Sequence, residues 1–154
     1  MGVEDASASE LYNTLGSMVR AAYSSQWLKT WKNYSSNRQK QVYYFSIEFL
    51  PGKLLESNLL NMDWLDVVEE SLEELGIDLK DLIDVEPDMG LGNGGLGRLA
   101  SCFMDSIASC GLPGNGNGIR YEYGLFKQKF IDGHQVELPD DWLNEGNVWE
   151  VRKD

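Results

Sequence analysis

A run of glycines between Gly90 and Arg98 is the part of this sequence best suited to bind a charged ligand. It reads Gly-Leu-Gly-Asn-Gly-Gly-Leu-Gly-Arg, and the pattern of an apolar helix begins near Gly95. Glycines let a backbone turn tightly and let another group approach the main chain. The first N–H groups of a helix have no intrahelical acceptor, and they carry the positive end of the helix dipole. The spacing therefore predicts an anion site with phosphate as its ligand, and Arg98 adds a cation in the first turn.

Two common nucleotide-binding motifs do not fit this run. The spacing G-x-G-x-x-G occurs twice, but the preceding residues 84–89 are polar and contain a proline, so no strand enters the loop. The acidic residue that a dinucleotide fold places about 20 residues further on is also missing. No Gly-Lys-Ser/Thr follows, so the run is not a P-loop. A glycine-rich turn that only lets a helix pack closely is the alternative to an anion site.

Charge and composition narrow the expected partners. Lys and Arg number 13 against 25 Asp and Glu, which gives a net charge of −12. Nucleic acid and anionic membranes are therefore not expected partners, because binding them needs clustered cations. No apolar run reaches the roughly 18 residues that span a bilayer, and the N-terminus does not resemble a secretory signal, so a cytoplasmic location is expected. No metal site is predicted, and Cys102 and Cys110 are expected to be buried thiols.

Hydrophobic periodicity predicts a helix-rich α/β protein. A long amphipathic helix is expected over 5–34, and another follows the glycine loop, so that loop and helix together cover 90–111. Shorter helices are expected over 54–60, 64–75 and 79–83. Strands are expected within 41–49, buried on both faces because apolar residues run together there, and within 117–138. In the second region they are placed over 118–123, 125–131 and 135–138, with a turn at Asp132-Gly133.

Four blocks of the chain resemble one enzyme family. The segment Glu86 to Ser106, which contains the glycine run, is similar to the N-terminal glycine-loop signature of the α-glucan phosphorylases, the family of glycogen, starch and maltodextrin phosphorylases. Val42 to Leu50, Gly118 to Phe126 and Gly133 to Trp142 resemble three further blocks of that family in the same order. The resemblance thus extends over residues 42–142.

The resemblance implies a pyridoxal-phosphate enzyme that splits an α-1,4-glucan with inorganic phosphate to give glucose 1-phosphate. In that family the cofactor's phosphate donates a proton to the substrate phosphate and accepts it back. The site residues carried over by motif are Glu48 as a cleft-lining residue, Gly94 and Gly95 as main-chain ligands of the cofactor and substrate phosphates, and Asn93, Leu96 and Arg98 as substrate ligands, with Leu96 against the sugar at the cleaved bond.

Family members run to several hundred residues and carry the cofactor lysine in their C-terminal half. The resemblance therefore implies that residues 1–154 are a single partial domain, the N-terminal portion of a Rossmann-like domain in a two-domain GT-B-type glycosyltransferase. The rest of the enzyme would lie beyond this chain. The fragment alone is expected to be inactive, and the full-length enzyme is expected to be a homodimer. The alternatives are a non-catalytic module that binds phosphate or sugar and a module that self-associates.

Overall fold

The computed structural model describes residues 2–153. Within this range a short 3-10 helix, Val3–Asp5, precedes five α-helices and four β-strands. They are α1 (Ala8–Ser36), β1 (Val42–Phe45), α2 (Leu55–Asn61), α3 (Leu65–Glu74), α4 (Leu79–Val85), α5 (Gly95–Ser109), β2 (Gly114–Asn117), β3 (Lys127–Ile131) and β4 (His134–Leu138). The strands form two sheets of two strands each. The prediction of a helix-rich α/β chain is confirmed.

The chain folds as two compact units. The first comprises the described parts of Met1–Thr30, Lys53–Pro87 and Asn147–Asp154, and the second comprises Trp31–Gly52 and Asp88–Gly146. The first unit is helical and contains α2, α3, α4 and most of α1. The second unit contains all four strands, α5 and the glycine run, so the whole candidate site belongs to it.

The core of the first unit is built from apolar residues of α1, α2, α4 and the segment after residue 146. Its buried members are Tyr12, Val19, Leu55, Leu59, Leu79, Leu82 and Val148. Gly16 lies in the middle of α1, where glycine lowers helix stability. A Cβ there would lie 2.9 Å from Cγ1 of Val148, so glycine at this position is what lets Val148 pack against α1.

The N-terminus of α1 is closed by Ser7 and Glu10. The N–H and hydroxyl of Ser7 both donate to Oε2 of Glu10 at 2.8 Å, and the N–H of Glu10 donates to the Ser7 hydroxyl oxygen at 3.3 Å. This reciprocal arrangement is a capping box, which satisfies N–H groups that a helix leaves without partners. The cap explains why α1 begins at Ala8, later than the predicted start at residue 5.

A buried carboxylate, that of Glu86, joins three segments of the first unit. Only 4% of Glu86 is exposed. It accepts hydrogen bonds from the N–H groups of Leu54 and Leu55 at 2.9 and 3.0 Å and from the Trp149 indole at 2.9 Å. The first two donors stand at the N-terminus of α2, where a negative charge is favourable. Burial, and then the charge of Glu86, raise the pKa of Tyr12.

In the second unit, β1 and β2 form a parallel pair in which Val42 lies opposite Gly114 and Phe45 opposite Asn117. Helix α5 packs against β2. A Cβ on Gly114 would overlap Cγ2 of Ile107 on α5. The small residues of β2 therefore allow the close approach of helix and strand.

The strand predictions around this sheet were partly wrong. β1 ends at Phe45 instead of continuing to residue 49, and it is not buried on both faces, since 77% of Phe45 is exposed. No strand forms over 118–123, and β2 lies earlier, at Gly114–Asn117. Gly and Asn are typical of turns, so no local pattern predicts β2. The strand forms because it pairs with β1 and packs on α5.

The hairpin at the end of the second unit follows its turn signal. β3 and β4 pair antiparallel with Lys127 opposite Leu138 and Ile131 opposite His134. Asp132 and Gly133 between them have φ angles of 51° and 77°. Two residues with positive φ form the two-residue turn that matches the twist of a hairpin. The predicted turn at Asp132-Gly133 is confirmed.

Two further findings concern α5 and the helices in general. Cys102 and Cys110 are both exposed, so the expectation of buried thiols was wrong. α5 instead buries its small residues Gly97 and Ala100. None of the helices between residues 2 and 153 combines the length and the apolar character that crossing a bilayer requires.

Candidate functional site

The glycine loop lies against the segment that follows β1. The N–H of Phe49 donates to the carbonyl oxygen of Leu91 at 2.9 Å, and the N–H of Leu50 donates to that of Gly97 at 3.0 Å. The carboxylate of Glu48 also accepts the N–H of Asn93 at 3.3 Å. These bonds fix the path of the loop up to the start of α5, which is what a preorganised binding loop requires.

Some glycines of the loop are required by packing. A Cβ on Gly90 would overlap the indole of Trp142, and a Cβ on Gly92 would lie 3.0 Å from the Phe49 carbonyl. At Gly97 a Cβ would lie 3.2 Å from the Cβ and Oε2 of Glu48. The alternative reading of the run, a turn that lets chain segments pack closely, therefore accounts for these glycines.

Gly94 and Gly95, in contrast, are not required by packing. A Cβ at either position would meet no described atom within 4 Å. Neither residue has a positive φ, so backbone conformation does not demand glycine there. Neither contact nor conformation within the fold explains the two glycines. The open space beside the main chain at both positions fits the predicted approach of a ligand.

The main-chain N–H groups at this point have no partner within the described part of the chain. Gly94 precedes α5 and accepts the first helical bond, from the N–H of Arg98 at 3.0 Å. Among residues 2–153, no acceptor is paired with the N–H groups of Gly94, Gly95, Leu96 or Gly97. Unpaired amides at a helix N-terminus favour an anion, so the geometry agrees with the predicted anion site.

A pocket of about 310 Å³ lies beside the loop. Its walls come from the segment after β1, from the start of the glycine run and from residues 121–125. The lining residues are Glu48, Gly90, Gly92, Asn93, Tyr121, Tyr123, Gly124 and Leu125. The volume is at the lower end of the range of about 300–1,000 Å³ that is usual for small-molecule sites. Aromatic walls beside one carboxylate suit a neutral polar ligand.

The predicted site residues fall into two groups. Glu48 and Asn93 line the pocket and are joined by a hydrogen bond. Gly94, Gly95 and Leu96 follow them in the chain without lining it, and 52% of Leu96 is exposed. The glycine loop thus contributes both to the wall of the pocket and, at residues 94–97, main-chain N–H groups without an acceptor in the described part of the chain.

Arg98 has partners that the sequence did not predict. Its Nη1 donates to the carbonyl oxygens of Leu50 and Pro51, each at 3.4 Å. The guanidinium therefore holds the segment after β1, and its role as a substrate ligand stays a prediction.

The sequence-based predictions did not include two aromatic residues that line the pocket, Tyr121 and Tyr123. Both were assigned to a strand over 118–123, without a role in the site. The only signal for them was their place within Gly118 to Phe126, one of the four blocks that carry the family resemblance. No group of three or more His, Cys, Asp or Glu side chains within residues 2–153 is placed to hold a metal ion.

Fold and site define an α/β protein with a glycine-rich loop at the N-terminus of α5 and a pocket beside that loop. Residues 72–154 match the family described as carbohydrate phosphorylase. This match covers more than half of the chain, and the chain belongs to that family. The resemblance stated from the four blocks is confirmed.

The chain is also similar to individual curated proteins. It is 58% identical to glycogen phosphorylase of Bacillus subtilis over 149 residues, which is 97% of this chain and 19% of the relative. It is 49% identical to glycogen phosphorylase of Chlamydia trachomatis over 96% of this chain and 18% of the relative. Against the liver form of human glycogen phosphorylase the identity is 46% over 94% and 17%. The chain spans about a fifth of the length of the relatives it matches.

Proposed function

We propose that this chain is the N-terminal part of an α-glucan phosphorylase, which transfers a glucosyl unit from an α-1,4-glucan to inorganic phosphate and forms glucose 1-phosphate. The observation that carries the proposal is the pairing of unpartnered amides at positions 94–97 with two glycines, Gly94 and Gly95, that packing does not require. Membership of the carbohydrate phosphorylase family supports the same reaction class.

The main-chain amides would act on the phosphate side of the reaction. N–H groups fixed at a helix N-terminus stabilise oxyanion charge without reorganising, and this is worth more where water is excluded. Such a contribution suits a protein with a net charge of −12, which does not attract phosphate from a distance.

The pocket would act on the sugar side. Glu48 offers carboxylate oxygens that accept hydrogen bonds from sugar hydroxyls, and the rings of Tyr121 and Tyr123 offer apolar faces. Leu96, which is half exposed and lies three residues after the pocket residue Asn93, would contact the sugar at the cleaved bond. Glucosyl and phosphate groups would then lie on adjoining parts of one loop.

The residues present also fit a phosphate-bearing cofactor. Gly94 and Gly95 offer amides with no acceptor in the described part of the chain, and no Cβ narrows the approach. Pyridoxal phosphate, which the family implies, would supply a phosphate group that exchanges a proton with the substrate phosphate. The lysine that carries the cofactor would come from another part of the full-length enzyme.

The wider architecture is part of the proposal. The parallel pair β1–β2 with α5 packed on it is the kind of unit from which Rossmann-like domains are built. We place both compact units in the N-terminal domain of a two-domain GT-B-type enzyme that is cytoplasmic and homodimeric. Trp27 is 54% exposed and Leu28 is 47% exposed on α1, which supports association through that helix. Association without ligand binding is the competing function.

A hybrid enzyme tests the proposal. In it, residues 2–153 replace the matching segment of the Bacillus subtilis relative. We expect the hybrid to form glucose 1-phosphate from glycogen and phosphate at a rate within about tenfold of the parent, because the exchanged segments are 58% identical. A hybrid that folds and binds cofactor but forms no glucose 1-phosphate would contradict the proposal. Light scattering on the 154-residue chain then tests the competing function, which predicts association without phosphate binding.

A further inference from the structure

The hydroxyl of Tyr121 reaches across the second unit to the end of β1. It donates to the carbonyl oxygen of Ile47 at 2.9 Å, although 74 residues separate the two in sequence. Ile47 immediately precedes Glu48, and Tyr121 lines the same pocket as Glu48 and Asn93. The hydrogen bond therefore acts on the backbone next to the only carboxylate among the lining residues.

The segment that Tyr121 holds is joined to the glycine loop residue by residue. Glu48 accepts the Asn93 N–H at 3.3 Å, the Phe49 N–H donates to the Leu91 carbonyl at 2.9 Å, and the Leu50 N–H donates to the Gly97 carbonyl at 3.0 Å. A shift of this segment would displace the loop and α5's first turn together.

Tyr121 is itself fixed at its main chain. The indole N–H of Trp142 donates to the Tyr121 carbonyl oxygen at 3.3 Å, and only 5% of Trp142 is exposed. The same indole lies against Gly90 at the start of the glycine run. Trp142, which contacts the start of the glycine run, thus holds the main chain of Tyr121, and the Tyr121 hydroxyl in turn holds the segment after β1.

We infer that Tyr121 is a positioning residue for the phosphorolysis proposed above. Its hydroxyl holds the Ile47 carbonyl so that the Glu48 carboxylate stays in the pocket and on the Asn93 amide. The ring forms part of the wall, and the hydroxyl acts through Glu48. The expected effect on rate rests on the proposed function, whereas the expected effect on the order of residues 46–50 rests on these hydrogen bonds alone.

The test is a double-mutant cycle in the hybrid enzyme. Tyr121→Phe removes only the hydroxyl, and we expect kcat to fall by about tenfold while KM for phosphate changes less than about twofold. In a Glu48→Gln background the same substitution should change kcat by less than about twofold, because the group that Tyr121 positions has already lost its charge. Equal losses of kcat in the two backgrounds would overturn the inference.

Tyr43→Phe is the matched control. The Tyr43 hydroxyl donates to Oε1 of Gln41 at 3.2 Å, away from the pocket on exposed β1, so its removal should leave kcat unchanged. Hydrogen exchange of the segment 46–50 provides a readout that does not depend on turnover. It should become faster in Tyr121→Phe and stay the same in Tyr43→Phe. Unchanged exchange in Tyr121→Phe overturns the inference, whereas an inactive unsubstituted hybrid with the expected exchange pattern counts against the proposed function alone.

Discussion

At Gly97 a Cβ would lie 3.2 Å from Glu48, whereas at Gly95 it would meet no described atom within 4 Å. Both residues belong to the first turn of α5, and both read as glycine of the same run in the sequence. The contacts assign Gly97 to packing, whereas at Gly95 the space beside the main chain is open, as the proposed phosphate site requires. Substituting each by alanine therefore tests the two roles independently.

Gly95→Ala in the hybrid enzyme should impair turnover without impairing the fold. The added methyl group has room in the protein but would stand where a phosphate approaches the main chain, and a displacement of about 1 Å costs on the order of 100-fold in rate. We expect kcat to fall by at least about tenfold while the melting temperature is unchanged or slightly higher, since alanine favours helix over glycine. Wild-type turnover with a lowered melting temperature would show that Gly95 serves packing.

Gly97→Ala should, in contrast to Gly95→Ala, lower the stability of the fold. Its methyl group would press on the Cβ and carboxylate of Glu48 and on Leu50, and overpacking of this kind costs about 1–3 kcal/mol. Differential scanning calorimetry should show a lower melting temperature than for Gly95→Ala. Equal stability of the two variants would contradict the assignment of Gly97 to packing.

The sequence predicted the loop but did not show which of its glycines serve packing and which do not. Glycine density and the helix pattern after Gly95 are local signals, and the helix they predicted begins at Gly95 in the structure, while the anion site stays a prediction. Which glycine touches Glu48, and that Arg98 donates to the Leu50 and Pro51 carbonyls, depends on residues 47 to 49 positions away. Tyr121 was missed for the same reason, because its hydroxyl partner lies 74 residues away.

Among the elements, α1 has a capping box whose contribution to stability should depend on pH. The Ser7 N–H, and then the Ser7 hydroxyl, lower the pKa of Glu10 below its ordinary value of 4.5. A lowered pKa means that the ionised form is favoured in the folded state, so the cap contributes stability above pH 4.5. That contribution is lost as the pH falls through the folded-state value.

Glu10→Gln should expose this dependence. Near pH 6 we expect amides in the first turn of α1 to be less protected from hydrogen exchange in the variant than in the wild type, since a charged acceptor is replaced by a neutral one. The difference should shrink as the pH is lowered from about 4.5 towards 3. A difference that stays constant from pH 6 to pH 3 would contradict the role of the carboxylate charge.

Elements with a long periodic pattern were predictable, and elements set by pairing were not. α5 satisfies the helical template at every turn, and it forms at Gly95–Ser109 as expected. β2, with the sequence Gly-Asn-Gly-Asn, has no strand propensity and exists because β1 lies beside it and α5 needs small residues beneath it. The exposed Phe45 shows the converse case, an apolar strand residue that the described part of the chain leaves uncovered.

At the scale of the whole molecule, the buried carboxylate of Glu86 contributes to the stability of the first unit. Its carboxylate accepts hydrogen bonds from α2 and from Trp149, so it joins segments far apart in the chain. Glu86→Gln replaces one acceptor oxygen by a donor that would face an N–H group. We expect unfolding of the 154-residue chain in urea to show a loss of about 2–4 kcal/mol.

Glu70→Gln is the control for that loss, because Glu70 is exposed on α3 and the change removes the same charge. Its effect should stay within about 0.5 kcal/mol. A Glu86 variant as stable as the Glu70 variant would show that the buried hydrogen bonds contribute little.

A polypeptide of residues 1–154 produced alone should not catalyse phosphorolysis. It spans about a fifth of the length of its relatives, and the proposed site would supply main-chain amides, one carboxylate and aromatic walls to the reaction. The measurement is glucose 1-phosphate formation from glycogen with added pyridoxal phosphate. Release above background by the purified chain would contradict the view that the site needs further residues.

The most direct measurement of the central claim is a crystal structure of the hybrid enzyme with pyridoxal phosphate and glucose 1-phosphate. The account predicts phosphate oxygens about 2.7–3.1 Å from main-chain nitrogens at Gly94 and Gly95, the range for a donor that stabilises an oxyanion. It also predicts the glucosyl ring between Leu96 and the pocket that Glu48 lines. Phosphate groups bound elsewhere, with the amides of positions 94–97 paired to protein or water, would contradict the account.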